Sequence, residues 1–148
     1  MEKTADIADK LRPILEKHQV ALAYLFGSAA REEHGPHSDV DIAVVFDTDV
    51  SEQEDFDRRM KLAGEISRIL RVPDADVINI KRATGPLIKY HAIFAGEPIF
   101  VKDAGLRFAV ERSVVREYED TRSLRRIASA VLRDELASGT FGKLRIST

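Results

Sequence analysis

The hydrophobic period changes several times along the chain, and each change marks a predicted element. Over residues 5–18, Ile7, Leu11, Ile14 and Leu15 recur every three or four positions, which predicts a helix with one apolar stripe. Pro13 lies inside that stripe and predicts a kink, or the first turn of a shorter helix. Val20–Phe26 is apolar throughout, opens on a β-branched residue and stops at Gly27, the pattern of a buried strand followed by a break. Val40–Phe46 predicts a second strand, rich in β-branched residues. Ser51 and Glu54 have capping-box spacing. Phe56, Met60, Ala63, Ile66 and Leu70 then recur at helical spacing, so 52–71 is a predicted helix. Pro73 stops it and biases Val72 to an extended backbone. Residues 76–80 alternate as a third strand, 86–95 form a short helix ended by Gly96, and 98–101 read as an edge strand because of Pro98. Residues 105–137 are mainly helical, with Leu124, Ile127, Ala128, Val131, Leu132 and Leu136 in one stripe. Residues 138–148, with Gly139 and Gly142, are expected to fray. The fold class is α/β (α+β): a mixed β-sheet flanked by helices, in one domain spanning 1–148.

Composition narrows the function. The 148 residues are 44% hydrophobic and 32% charged, enough apolar material for a packed core. Twenty-three basic residues against 25 acidic ones give a net charge of -2, which argues against a dedicated nucleic-acid binder. With no cysteine, disulfides, thiolate metal sites and cysteine nucleophiles are excluded. The charged N-terminus lacks the apolar core of a signal peptide, and no apolar run is long enough to span a bilayer, so a cytoplasmic protein is expected. Seven arginines and six acids between 107 and 135 balance, and read as a solvated helix face laced with ion pairs.

The chemistry concentrates in 25–46. Gly27 and Ser28 follow a strand and precede a short helix-like stretch, where backbone amides and a hydroxyl can face a phosphate. On its own such a pair is an ordinary turn. Asp39 and Asp41 lie two apart at the start of a strand, so their side chains share a face. Paired carboxylates repel unless a cation lies between them, and hard oxygen donors of this kind suit Mg²⁺. Asp76 shares a strand face with Ile78 and Ile80 and would join the pair if its strand lies beside Val40–Phe46. Asp74, the rival, follows Pro73 and reads as a turn residue. His34 and His37 are three apart in a Gly-Pro loop with no third ligand, a poor zinc site, although His37 flanks the acid pair.

Gly27-Ser28, ten residues, Asp39-Val40-Asp41 and a later strand carrying Asp76 together resemble the nucleotidyltransferase superfamily that includes DNA polymerase β. The form with Ala30 and Arg31 after Gly-Ser, and Ser38 before the acids, looks most like the minimal nucleotidyltransferases (MNT), the MntA-like antitoxins encoded beside HEPN toxins. The likeness extends over roughly 5–137 and includes Leu87-Ile88-Lys89-Tyr90 and Gly96-Glu97-Pro98-Ile99. It implies that Asp39, Asp41 and Asp76 are catalytic and hold two Mg²⁺ ions, one on the triphosphate of ATP and one on the attacking hydroxyl. It further implies that Gly27 and Ser28 cradle phosphates, with Arg31 assisting or pairing with Glu32 or Glu33. The implied reaction is transfer of AMP to a hydroxyl of a HEPN-domain toxin partner, with release of pyrophosphate. Two competing readings are a non-catalytic antitoxin that masks its partner and transfer to a small molecule such as an aminoglycoside. Three clustered acids favour an enzyme over a mask, and the chain is short for an acceptor-binding helical domain.

Overall fold

The computed structural model describes residues 4–27, 40–83 and 85–138. The elements run α1 (Thr4–Lys17), β1 (Val20–Phe26), β2 (Val40–Phe46), α2 (Glu52–Leu70), β3 (Ala75–Asn79), α3 (Pro86–Phe94), β4 (Glu97–Val101), α4 (Ala104–Asp120) and α5 (Arg122–Ser138). The strands form one sheet in the order β3-β2-β1-β4. β1 is antiparallel to both β2 and β4, while β2 and β3 are parallel, joined by the crossover helix α2. The expected mixed sheet flanked by helices is therefore the observed architecture, and β4, with Pro98, lies at an edge.

Strand alternation sorts the core into two layers. On one face, Ala23, Leu25, Ile42, Val44 and Val77 pack against Leu11 and Leu15 of α1 and Leu62 and Ile66 of α2. On the other, Leu22, Tyr24, Phe26, Ala43, Val45 and Ile80 pack against Ala92 and Ile93 of α3 and Val110 and Val114 of α4. Because both faces are covered, β1 is buried at every position, which is why its sequence is continuously apolar rather than alternating.

Three expectations take a more definite form in the structure. The α1 helix runs through Pro13 to Lys17 rather than starting there. In the stripe expected for the second helix Ile66 is buried and Ala63 and Leu70 pack on the core, but Phe56 and Met60 are 51% and 47% exposed, and Leu62 and Asp55 are buried instead. The mainly helical stretch expected over 105–137 is observed as two helices, α4 and α5, divided at Thr121. The α2 caps follow the sequence: Ser51 Oγ accepts from the Glu54 amide at 3.2 Å, and the helix closes on Arg71 in the left-handed region. The tail expected to fray from 138 lies, beyond Ser138, outside the described residues.

Side-chain networks hold the layers in register. Asp55, 2% exposed on α2, accepts from Asn79 Nδ2 of β3 at 2.7 Å and from Arg59 Nε at 2.8 Å. Asn79 Oδ1 in turn accepts from the Lys81 amide. On the opposite face the fully buried Tyr24 donates its hydroxyl to Glu111 of α4 at 2.7 Å, and Arg107 donates to the same carboxylate oxygen at 2.9 Å. Burial and the neighbouring carboxylate hold the Tyr24 hydroxyl protonated well above the usual phenol range.

Candidate active site

Each candidate residue that the structure describes lies at one end of the sheet. β2 and β3 are parallel and begin at the same end, and their register pairs Asp41 directly with Asp76. Asp41 alternates with Ala43 and Val45, and Asp76 with Ile78 and Ile80, so both carboxylates project from the face covered by α3 and α4. Adjacent strands are spaced by about 4.8 Å, which brings two same-face side chains within reach of one ion. Asp41 is half-buried and Asp76 exposed at the strand mouth, so solvent and substrate can reach them.

Gly27 joins this pair. It follows β1 directly, and Phe26 is the register partner of Asp41. Gly27 has φ +74, a conformation that side chains disfavour, and a Cβ on it would stand 2.3 Å from Asp41 Oδ2. The glycine is required both by its own backbone and by the position of the neighbouring carboxylate. The end of β1 and the starts of β2 and β3 thus present a side-chain-free backbone beside two acids. That arrangement allows close backbone approach by an anionic ligand with oxygen donors opposite it.

Ser28, Arg31 and Asp39, as well as His34 and His37, lie outside the described residues. Among the described residues no group of three or more His, Cys, Asp or Glu side chains forms a metal cluster. The pair Asp41 and Asp76 nevertheless supplies the donor chemistry that Mg²⁺ takes, since this ion binds through one or two carboxylates and retains water. Asp74, the rival acid, is exposed in the turn before β3, where its carbonyl accepts from the Val40 amide and so helps to align the two strand starts. A cavity of about 680 Å³, lined by residues including Phe46, Asn79, Ile80, Lys89 and Val114, lies at the opposite ends of β2 and β3. Gly27, Asp41 and Asp76 are not part of its lining.

The Asp55–Asn79 pair is the supporting feature that sequence reasoning missed. Asn79 sits three residues after Asp76 on the same strand, so fastening it to α2 fixes how β3 lies against β2. The signal was present as an Asn within an otherwise apolar run and an Asp in the first turn of a helix. Neither identifies its partner without the tertiary packing.

Known proteins carry the same frame. A toxin–antitoxin crystal structure with AMP-PNP superposes with a TM-score of 0.70 at 20% identity, covering 87% of this chain and 98% of that one. The tri-AMPylated Shewanella oneidensis HEPN toxin in complex with MNT antitoxin provides a second match, with a TM-score of 0.66, 18% identity and coverage of 90% and 99%. The MntA–HepT toxin–antitoxin structure gives 0.64 at 19% identity, covering 88% and 97%. At these identities the likeness establishes a common fold. A comparison with curated proteins gives no match. Residues 9–105 match the family model for the polymerase beta nucleotidyltransferase domain, a span that holds Gly27, Asp41 and Asp76 and the strands that align them. On that match the chain belongs to the polymerase β nucleotidyltransferase family and is a nucleotidyltransferase.

Proposed function

We propose that this chain transfers AMP from ATP to a hydroxyl of a HEPN-type toxin, acting as its antitoxin. The observation that carries the reading is the direct register pairing of Asp41 with Asp76 on one sheet face, with Gly27 against Asp41. The acceptor is drawn from the similar structures, one of which holds a tri-AMPylated HEPN toxin with an MNT antitoxin. The donor is drawn from the match whose complex holds AMP-PNP.

In this reading Asp39, Asp41 and Asp76 would hold Mg²⁺, which supplies charge neutralisation at the phosphates and acidifies the attacking hydroxyl. The chain's own groups do the remaining work. Gly27 lets the backbone approach the β- and γ-phosphates, and Ser28 donates its hydroxyl to them. Asp76, the more exposed acid, receives the hydroxyl proton. Arg31 supplies positive charge to the triphosphate. Attack at the α-phosphorus forms the new P–O bond, breaks the bond to the β-phosphate oxygen and releases pyrophosphate. The whole chain serves as one minimal domain, and the acceptor is presented by the partner protein. No described helix is long and apolar enough to cross a membrane.

Co-expression with the HEPN-type toxin that this reading assigns to it tests the reading. Wild type is expected to restore growth, and an Asp41→Asn, Asp76→Asn double variant to bind the toxin without restoring growth. Full rescue by the double variant would assign neutralisation to binding alone.

A further inference from the structure

We infer that the cleft at the carboxyl ends of β2 and β3 binds a small organic anion, a compact apolar body carrying one negatively charged group. This is the cavity of about 680 Å³ described above, which falls in the size range of ligand sites. Phe46 ends β2 and Asn79 ends β3, and open sheets place ligands in the crevice beyond the carboxyl ends of parallel strands. Asp41 and Asp76 lie at the starts of the same strands, about 16 Å away along β2, so the cleft is separate from the candidate active site. Phe46, Ile80, Leu106, Val110 and Val114 give it an apolar wall. Ala109 and Ser113, one turn apart on α4, also line it, and their side chains are too short to fill the space between the helix and the strand ends. An apolar wall with a few polar groups converging on it is the usual make-up of a small-molecule site.

Charge sets the sign of the ligand. The polar lining brings Lys81, Arg82 and Lys89 against only Asp49 and Glu117. The Lys89 side chain is 13% exposed and is matched by Glu117 at 3.1 Å. Asp49 stands 3.7 Å from Lys81 with its own side chain 94% exposed, so that contact is loose and solvated. Arg82 forms no ion pair among the described residues. Its guanidinium donates to the Val50 carbonyl, a neutral acceptor, which anchors the group at the cleft. That bond leaves its charge uncompensated and its other N–H donors available to a carboxylate, sulfonate or phosphate oxygen. Beside an apolar wall the attraction is stronger than in open water. An apolar body on the wall with its charge at Arg82 satisfies both features together.

The test titrates the full chain with 1-anilinonaphthalene-8-sulfonate, an aromatic body with one fixed negative charge whose fluorescence reports apolar surroundings. Wild type should saturate at a single site. Ala109→Trp, which fills the cleft, should abolish that site while the chain keeps its cooperative melting transition. Arg82→Gln keeps a donor for the Val50 carbonyl but removes the charge, and should weaken binding about tenfold. Val131→Glu, on the exposed face of α5, should leave binding unchanged, as should saturating Mg²⁺ and ATP. Wild type that shows no saturable site would overturn the proposal. So would binding at full strength in Ala109→Trp or Arg82→Gln, loss of binding in Val131→Glu, or displacement of the dye by Mg²⁺ and ATP.

Discussion

Gly27 is the residue where backbone and chemistry are least separable. Its φ is +74, and a methyl group added there would meet Asp41 Oδ2 at 2.3 Å, so Gly27→Ala strains the turn and displaces the carboxylate together. The expected result is a fall in nucleotide transfer of about 100-fold, the usual consequence of moving a positioned group by about 1 Å, with a much smaller change in melting temperature. Transfer at the wild-type rate would reduce Gly27 to a turn residue. Asp41→Asn makes a complementary prediction. It removes a hard oxygen donor and relieves repulsion with Asp76 on the neighbouring strand, so stability without ligand should hold or rise slightly. The additional thermal shift given by Mg²⁺ and ATP should disappear. Thermal denaturation with and without both ligands measures each half.

At the scale of elements, two polar networks fasten helices to the sheet. Glu111 belongs to one: Tyr24→Phe removes a single donor, whereas Glu111→Ala leaves the buried Tyr24 hydroxyl unsatisfied and takes the carboxylate from Arg107. Glu111→Ala is therefore expected to be the more destabilising, by about 1–3 kcal/mol against about 1 kcal/mol for Tyr24→Phe. Chemical denaturation ranks them. Acid should weaken the same joints. Burial raises the Glu111 carboxyl, but the Tyr24 hydroxyl and Arg107 outweigh it and leave it below its ordinary value of 4.5. Glu65 is likewise lowered, by Lys17 and then His18, which tie α1 to α2. A carboxylate lowered in the folded state contributes stability above its unfolded value and loses it as pH falls through the folded one. The melting temperature should thus decline as pH drops below about 4.5, and less steeply in Glu65→Gln, where one such group is removed. Most elements were legible in the sequence because their signals are local: Gly27 ends β1, Ser51 caps α2, and Pro98 confines β4 to an edge. The N-terminal half of the α2 stripe was not, because Phe56 and Met60 share helical spacing with Ala63, Ile66 and Leu70, and packing against the sheet selected Leu62 in their place. Nor could the sequence foresee that Asp55, an acid in a first turn, would be buried against Asn79.

For the molecule as a whole, the fold serves to bring strand ends together. Asp41 and Asp76 are separated by a 19-residue crossover helix, and their adjacency depends on β2 and β3 being parallel neighbours in one register. The sequence could state that condition but not fulfil it; the layer packing of α2 does so. The family match over 9–105 gives the chemistry its class, and the acceptor is the part that an experiment must supply. The most direct measurement is the intact mass of the proposed HEPN-type partner, purified and incubated with this chain, ATP and Mg²⁺. The account predicts that the partner gains the mass of one or more AMP groups with wild type and none with the Asp41→Asn, Asp76→Asn variant. An unmodified partner with wild type, or equal modification by the variant, would contradict it.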